Sequence, residues 1–159
     1  MSGRVAALVR GLAGRGETVA AAESLTAGLL LAALTEVPGS SAVVRGGFVV
    51  YGTDLKATLA GVPAALLAER GPVDPDVAEA LAEGARSRCG ASIGVGLTGV
   101  AGPGPQDGVE AGTVYVALAS PRGRQVSLLR ATGTRAEVRA AAVEMAVGLL
   151  EDDLATIIE

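Results

Sequence analysis

The sequence predicts an α/β fold: a single domain with a mixed, mainly parallel sheet of about five strands under helices on both faces. Three observations carry that reading. The chain has 159 residues, the length of one ordinary domain. Half of the residues are hydrophobic and 19% are charged, enough apolar surface to bury a core. Short apolar or β-branched runs alternate with stretches of helical periodicity, the pattern of strands connected by helices.

Each element has its own local signal. Gly3 to Gly14 places Val5, Leu8, Val9 and Leu12 at i, i+3, i+4 and i+7, an amphipathic helix that Gly14 and Gly16 end. Thr18 to Ala22 reads as a short buried strand, followed by a turn at Glu23-Ser24. A helix from Thr26 to Glu36 stops before Pro38, because the residue preceding proline avoids the α region. Ala42 to Tyr51 is apolar and β-branched, a second strand. Strand, helix and strand span ~34 residues, the size of a βαβ unit with parallel strands. Two short helical pieces, Asp54 to Ala60 and Pro63 to Glu69, precede a Pro/Asp-rich turn. Asp76 to Arg88 is a longer helix with Val77, Ala80, Leu81 and Ala85 on one side. Ser92 to Leu97 is a third strand, and Thr98 to Gly112 a Gly/Pro-rich loop. Thr113 to Ala119 and Gln125 to Ala131 are joined at Pro121-Arg122-Gly123, a connection short enough to favour an antiparallel pair. A last helix runs from Arg135 to Leu150. Neither an internal repeat nor a linker divides residues 1–159.

Composition removes several function classes. Histidine is absent, which excludes an imidazole base and His-ligated metal sites. A single cysteine, Cys89, rules out an intramolecular disulfide and a CxxC zinc site. Two Tyr, one Phe and no Trp leave no stacking platform for single-stranded nucleic acid. A net charge of -4 speaks against sequence-independent binding to DNA phosphates. The longest apolar stretch, Ala27 to Leu34, falls far short of the ~20 residues that cross a bilayer. Arg4, Arg10 and Arg15 break any signal-peptide core. The expectation is a cytoplasmic protein without membrane or nucleic-acid partners.

One lysine, Lys56, stands against 12 arginines. Arginine stays protonated at any relevant pH, so Lys56 alone among the cationic side chains can give up a proton. The bland account is a surface lysine surviving by chance.

Ligands in open α/β sheets sit outside the carboxyl ends of parallel strands. Ser24, the Tyr51–Lys56 segment and Thr98-Gly99 each follow the predicted end of a strand, so parallel strands would crowd all three at one edge. Ser24 begins the turn into a helix, where a serine caps free N–H groups or serves as a nucleophile or phosphate ligand. A chain without His needs another base for such a serine, and Lys56 and Tyr51 are the candidates. Thr98 to Gly102 reads either as a tight turn or as an anion-binding nest. Two other motifs fail. Gly94-x-Gly96-x-x-Gly99 matches the dinucleotide pattern, but its glycines lie in a strand and lead into Pro103 and Pro105, which cannot open a helix. Tyr51 and Lys56 are five apart, not the four that place an oxidoreductase Tyr/Lys pair on one helical face.

Seven segments carry a resemblance to a known family. They are Ala22-Glu23-Ser24-x-Thr26-x-Gly28, Val37-Pro38-Gly39-Ser40-Ser41, Arg45-Gly46-Gly47-Phe48-Val49-x-Tyr51 with Lys56, Gly61-Val62-Pro63, Gly71-Pro72-Val73, Thr98-Gly99-Val100-Ala101-Gly102-Pro103 and Gly112-Thr113-Val114-Tyr115. In this order and spacing the chain resembles the CinA C-terminal domain family, which includes stand-alone nicotinamide mononucleotide amidohydrolases. The resemblance implies a three-layer α/β/α sandwich, hydrolysis of the mononucleotide's amide to the acid and ammonia, and no metal or other cofactor. It also implies Ser24 as nucleophile, with Lys56 and Tyr51 beside it. Larger relatives carry an additional N-terminal domain, which this chain is read as lacking. The sequence departs from the family pattern at Ala27, where a second glycine is usual, at Gly52-Thr53, where Ser-Asn follows the tyrosine, and in the loop Pro105 to Glu110.

These readings set the expected mechanism. Ser24 attacks the carboxamide carbon while neutral Lys56 takes its proton directly or through Tyr51. Amides around Thr26 to Gly28, at a helix start, form the oxyanion hole. The substrate's phosphate falls to the Thr98, Gly99 and Gly102 loop, to the Ser40 and Ser41 hydroxyls, or to Arg135 and Arg139, four apart on one helical face. A salt bridge to Glu144 is the bland reading of those arginines. The rival function is a nucleotide-binding or interaction module without catalysis. The expected partner is a small-molecule nucleotide, and a homodimer or higher homo-oligomer stays open.

Overall fold

The computed structural model describes residues 1–156. The N-terminal amphipathic pattern folds as helix α1 (Ser2–Arg15), which buries Val5, Leu8, Val9 and Leu12, the four residues its spacing picks out. Strand β1 (Val19–Glu23) is buried throughout. Helix α2 (Leu29–Thr35) and a single 3-10 turn (Ser40–Ala42) lead into β2 (Val44–Val49), which pairs parallel to β1. Helices α3 (Thr53–Thr58) and α4 (Ala64–Arg70) are short. Helix α5 (Pro75–Cys89) starts on the Asp74 carboxylate, which accepts from the Asp76 N–H, and has proline in its first turn. Strand β3 (Ile93–Gly99) lies parallel to β1 on its other side. Strands β4 (Thr113–Ser120) and β5 (Gly123–Arg130) complete the sheet as an antiparallel hairpin, and α6 (Arg135–Ala155) closes the fold.

The five strands form one sheet in the order β2-β1-β3-β4-β5, in which β4 alone runs against the others. Because side chains alternate along a strand, the sheet faces two layers of helix. Val19 and Ala21 of β1 join Ile93, Val95, Val114 and Val116 in a core with α1, α2 and α6. Ala20 and Ala22 face α5 instead, with Ala117 and Ala119 packed against Ala78 and Ala82. That second interface is made of small residues because α5 lies almost on the backbone of β3. A Cβ at Gly94 would collide with the Ala82 carbonyl, and one at Gly96 with that of Ala78. The glycines that mimic a dinucleotide fingerprint are thus a seat for a helix.

Most boundaries move by a residue or two from the sequence reading, and four of the shifts are the following. Helix α2 starts at Leu29, not Thr26, because Ala27 (φ 46) and Gly28 (φ 100) take left-handed conformations that a right-handed helix cannot contain. Strand β2 stops at Val49 and leaves Tyr51 outside. Strand β3 extends through Thr98 and Gly99, which pair with Tyr115 and Val114 of β4. Helix α6 runs to Ala155, opened by Thr134, whose hydroxyl accepts the Glu137 N–H and donates to the Glu137 carboxylate.

At the amino-terminal edge of the parallel strands, Arg122 in the β4–β5 turn is held between two acids. Its guanidinium meets Glu17 at 2.6 Å and Asp153 at 2.6 Å, and Ser120 donates to the other Asp153 oxygen at 2.7 Å. This network ties the end of α6 to the hairpin and to the entry of β1.

Candidate active site

Because β1, β2 and β3 are parallel, the segments that follow them meet at one edge. Ser24 comes directly after β1, and its N–H donates to the Leu97 carbonyl of β3 at 3.0 Å. Lys56, on α3, is 2% exposed and points back under the turn after β2. Its Nζ donates to the Val50 carbonyl at 2.7 Å and to the Tyr51 carbonyl at 3.3 Å, and stands 3.0 Å from Ser24 Oγ. The proton inventory is informative. As an ammonium, Nζ has three donors for these three acceptors; on losing one proton it keeps two hydrogens for the carbonyls and is left with a lone pair for the Ser24 hydroxyl. Burial lowers the Lys56 pKa to about 8, against the opposing pull of Asp54. With no bonded carboxylate to hold its proton, Lys56 gives it up at about pH 8 rather than above 10.

Ser24 is not the cap of α2. The fully buried Glu23 carboxylate takes that role, accepting from Leu30 N–H at 3.0 Å and from Leu31 N–H at 3.2 Å. An acid at the positive end of a helix is favoured there, and it leaves the serine hydroxyl free for Lys56. The amides expected to open a helix at Thr26 to Gly28 lie in a turn instead, where Ala27 N–H donates to Ser24 O at 3.1 Å.

The dyad opens into a cavity of about 270 Å³. Its walls include Ser24, Tyr51, Thr53, Lys56, Thr98, Gly99, Gly102, Gln106 and Arg135. Two cations and no carboxylate line it among the described residues, which suits an anionic ligand. Arg135 spans the mouth, donating to the Gly102 carbonyl at 2.7 Å and to Tyr51 Oη at 3.0 Å. Tyr51 is 59% exposed, and it reaches Lys56 through its backbone carbonyl rather than its phenol. Thr98 Oγ1 donates to the Pro72 carbonyl at 2.7 Å, holding the α4–α5 connection against the cavity.

Several expected ligands lie elsewhere. Ser40 and Ser41 precede β2, so they sit at the opposite edge of the sheet, and Ser40 Oγ is on the Thr35 carbonyl at 3.4 Å. Thr26 is fully buried, its hydroxyl without a partner among the described residues, and neither Thr26 nor Gly28 is among the residues that line the cavity. Arg139 lines no part of the cavity. It donates to the carbonyls of Leu25 and Thr26 at 2.8 and 3.4 Å, while Glu144 pairs with Arg4. Thr53, Gln106 and Pro72 line the cavity although the sequence reading gave them no ligand role; of these Thr53 and Gln106 carry polar side chains. Among the described residues no cluster of three or more acids, cysteines or histidines could hold a metal ion, and no helix is long and apolar enough to cross a membrane.

Comparison with known proteins agrees with this architecture. The sequence profile of the CinA C-terminal domain matches residues 3–154. A CinA-like protein of Frankia casuarinae is 47% identical over 141 residues, covering 89% of this chain and 33% of the relative. A CinA-like protein of Anaeromyxobacter dehalogenans is 47% identical over 144 residues, covering 90% and 35%. The chain therefore spans about a third of the length of these relatives. Among solved structures, a competence/damage inducible protein of Agrobacterium tumefaciens superposes with a TM-score of 0.87 at 36% identity, covering 96% of both chains. A CinA superfamily protein of Klebsiella pneumoniae gives 0.92 at 32% identity, covering 97% of both.

Proposed function

Because the chain belongs to the CinA C-terminal domain family, which is associated with nicotinamide mononucleotide deamidase activity, we propose that it hydrolyses the carboxamide of that nucleotide to the acid and ammonia. The observation that carries this reading is the 3.0 Å approach of Lys56 Nζ to Ser24 Oγ, with the two other Nζ directions held by carbonyls. Ser24 Oγ attacks the amide carbon as Lys56 accepts its proton. The lysine then returns the proton to the departing nitrogen, and ammonia leaves an acyl-serine. Water, deprotonated by the same amine, releases the acid and regenerates the serine. Amides of the turn after Ser24 meet the oxyanion. Arg135, at the cavity mouth, takes the phosphate.

Ammonia release, measured with the mononucleotide and with plain nicotinamide, tests this. Turnover of the mononucleotide with little or none of nicotinamide is the expected result. Binding of the mononucleotide without ammonia supports the rival reading, a nucleotide-binding module of the same fold.

A further inference from the structure

We propose that Arg139 is a positioning residue for the nucleophile and not a ligand of the substrate; the inference rests on the Ser24–Lys56 dyad described above. From α6 its planar guanidinium reaches the two consecutive carbonyls that follow Ser24, Leu25 O at 2.8 Å and Thr26 O at 3.4 Å. It has no ion pair among the described residues, so its charge falls on these peptide groups. A carbonyl and the next N–H share one rigid trans plane and point in opposite directions. Drawing Leu25 O towards α6 therefore turns the Thr26 N–H away from it, and drawing Thr26 O does the same to the Ala27 N–H, which meets Ser24 O at 3.1 Å. The positive charge also polarises both peptides, strengthening the N–H groups as donors.

The turn needs this hold. Ala27 has φ 46, a left-handed conformation that a residue with a Cβ adopts at a cost, and Gly28 follows at φ 100. Such strain persists only where surrounding contacts over-determine it. Two side chains do so here, beside the backbone bonds from Ala27 N–H to Ser24 O and from Leu29 N–H to Thr26 O: the Glu23 carboxylate fastens the far side through Leu30 and Leu31, and Arg139 fastens the near side. A lysine could not replace the fork, because one ammonium on a flexible stem does not fix two successive carbonyls. Arg135, one helical turn earlier on α6, faces the cavity, so the two arginines divide the work: one meets the ligand and the other the turn.

The test is independent of the natural substrate. A fluorophosphonate probe is attacked by Ser24 Oγ; the P–O bond forms, fluoride leaves and Lys56 takes the proton. The full chain and its Arg139→Lys and Arg139→Gln variants are compared for the rate of modification at Ser24, located by mass spectrometry, across pH. The expected result is a rate lower by on the order of tenfold or more in both variants. The midpoint of the pH profile stays in place, because Lys56 is untouched. With the mononucleotide, kcat falls by a similar factor and KM changes little. Modification of either folded variant at the wild-type rate overturns the proposal, as does a raised KM with unchanged kcat. Absence of modification in the wild-type chain overturns the dyad and this inference together. Modification of Ser24 slowed by the substitutions, without mononucleotide turnover, rejects the proposed substrate alone and leaves Arg139 in its role.

Discussion

Two buried cations occupy opposite edges of the sheet, and their surroundings differ. Arg122, at the amino-terminal edge, is bonded to two carboxylates, which raise its pKa further and leave no doubt about its proton. Lys56, at the carboxyl edge, is bonded to two neutral carbonyls and a hydroxyl, and burial brings its pKa down to about 8. Carboxylates around Arg122 hold its proton, whereas at Lys56 desolvation, with no bonded carboxylate against it, lowers the pKa; the two edges differ in partners and in depth.

The largest break in that contrast comes from giving the carboxyl edge a cation that cannot lose its proton. Lys56→Arg should lower kcat/KM by ~10³ or more, within the range of a lost general base, while circular dichroism stays native. In the wild-type chain kcat/KM should climb as pH rises through about 8 and level off above it, since only the neutral amine acts. Stability carries the matching sign. A lysine whose pKa falls from 10.5 to about 8 on folding binds fewer protons folded than unfolded between those values, so its contribution to stability improves with pH across that window. Lys56→Met should accordingly be more stable than wild type near pH 7, by up to roughly 3 kcal/mol before solvent screening discounts it, and lose that advantage above pH 10.5.

At the other edge the effect falls on stability alone. Arg122→Met leaves Glu17 and Asp153 in place without their cation, and urea unfolding should show a loss of about 3–5 kcal/mol. The kcat of the folded protein should not move. Next in size is Arg135→Ala. Removing the cation at the cavity mouth should raise KM for the mononucleotide about tenfold, equivalent to ~1.4 kcal/mol, with Tm nearly unchanged. The smallest effect is a gain: Ala27→Gly relieves the left-handed alanine and should add about 0.5–1 kcal/mol in thermal or urea unfolding.

Much of this was legible in the chain itself. Local spacing named the four buried residues of α1, and short apolar runs located five strands. A solitary lysine in a chain with no histidine drew attention to Lys56, with Tyr51, as a candidate partner for Ser24. Strand order and direction then made the carboxyl edge the place to look. Other assignments failed where geometry beyond a few residues decides. Ser40 and Ser41 resemble ligands, yet they precede a strand whose direction carries them to the far edge. Arg139 shares a helix face with Arg135, yet four residues along a helix are enough to move a guanidinium from the cavity mouth to the carbonyls behind the nucleophile.

The sequence by itself determined which elements form, because helix and strand periodicities are properties of neighbouring residues. It also determined that a serine nucleophile could not use an imidazole base, because composition removed histidine. Only the tertiary structure decided that Glu23 caps α2, so that Ser24 does not, and that Lys56 is stripped of solvent beneath Val50 and Tyr51. The reason is physical. A side chain's proton affinity and its partners depend on what packs around it, and here the packing brings together residues 32 positions apart along the chain.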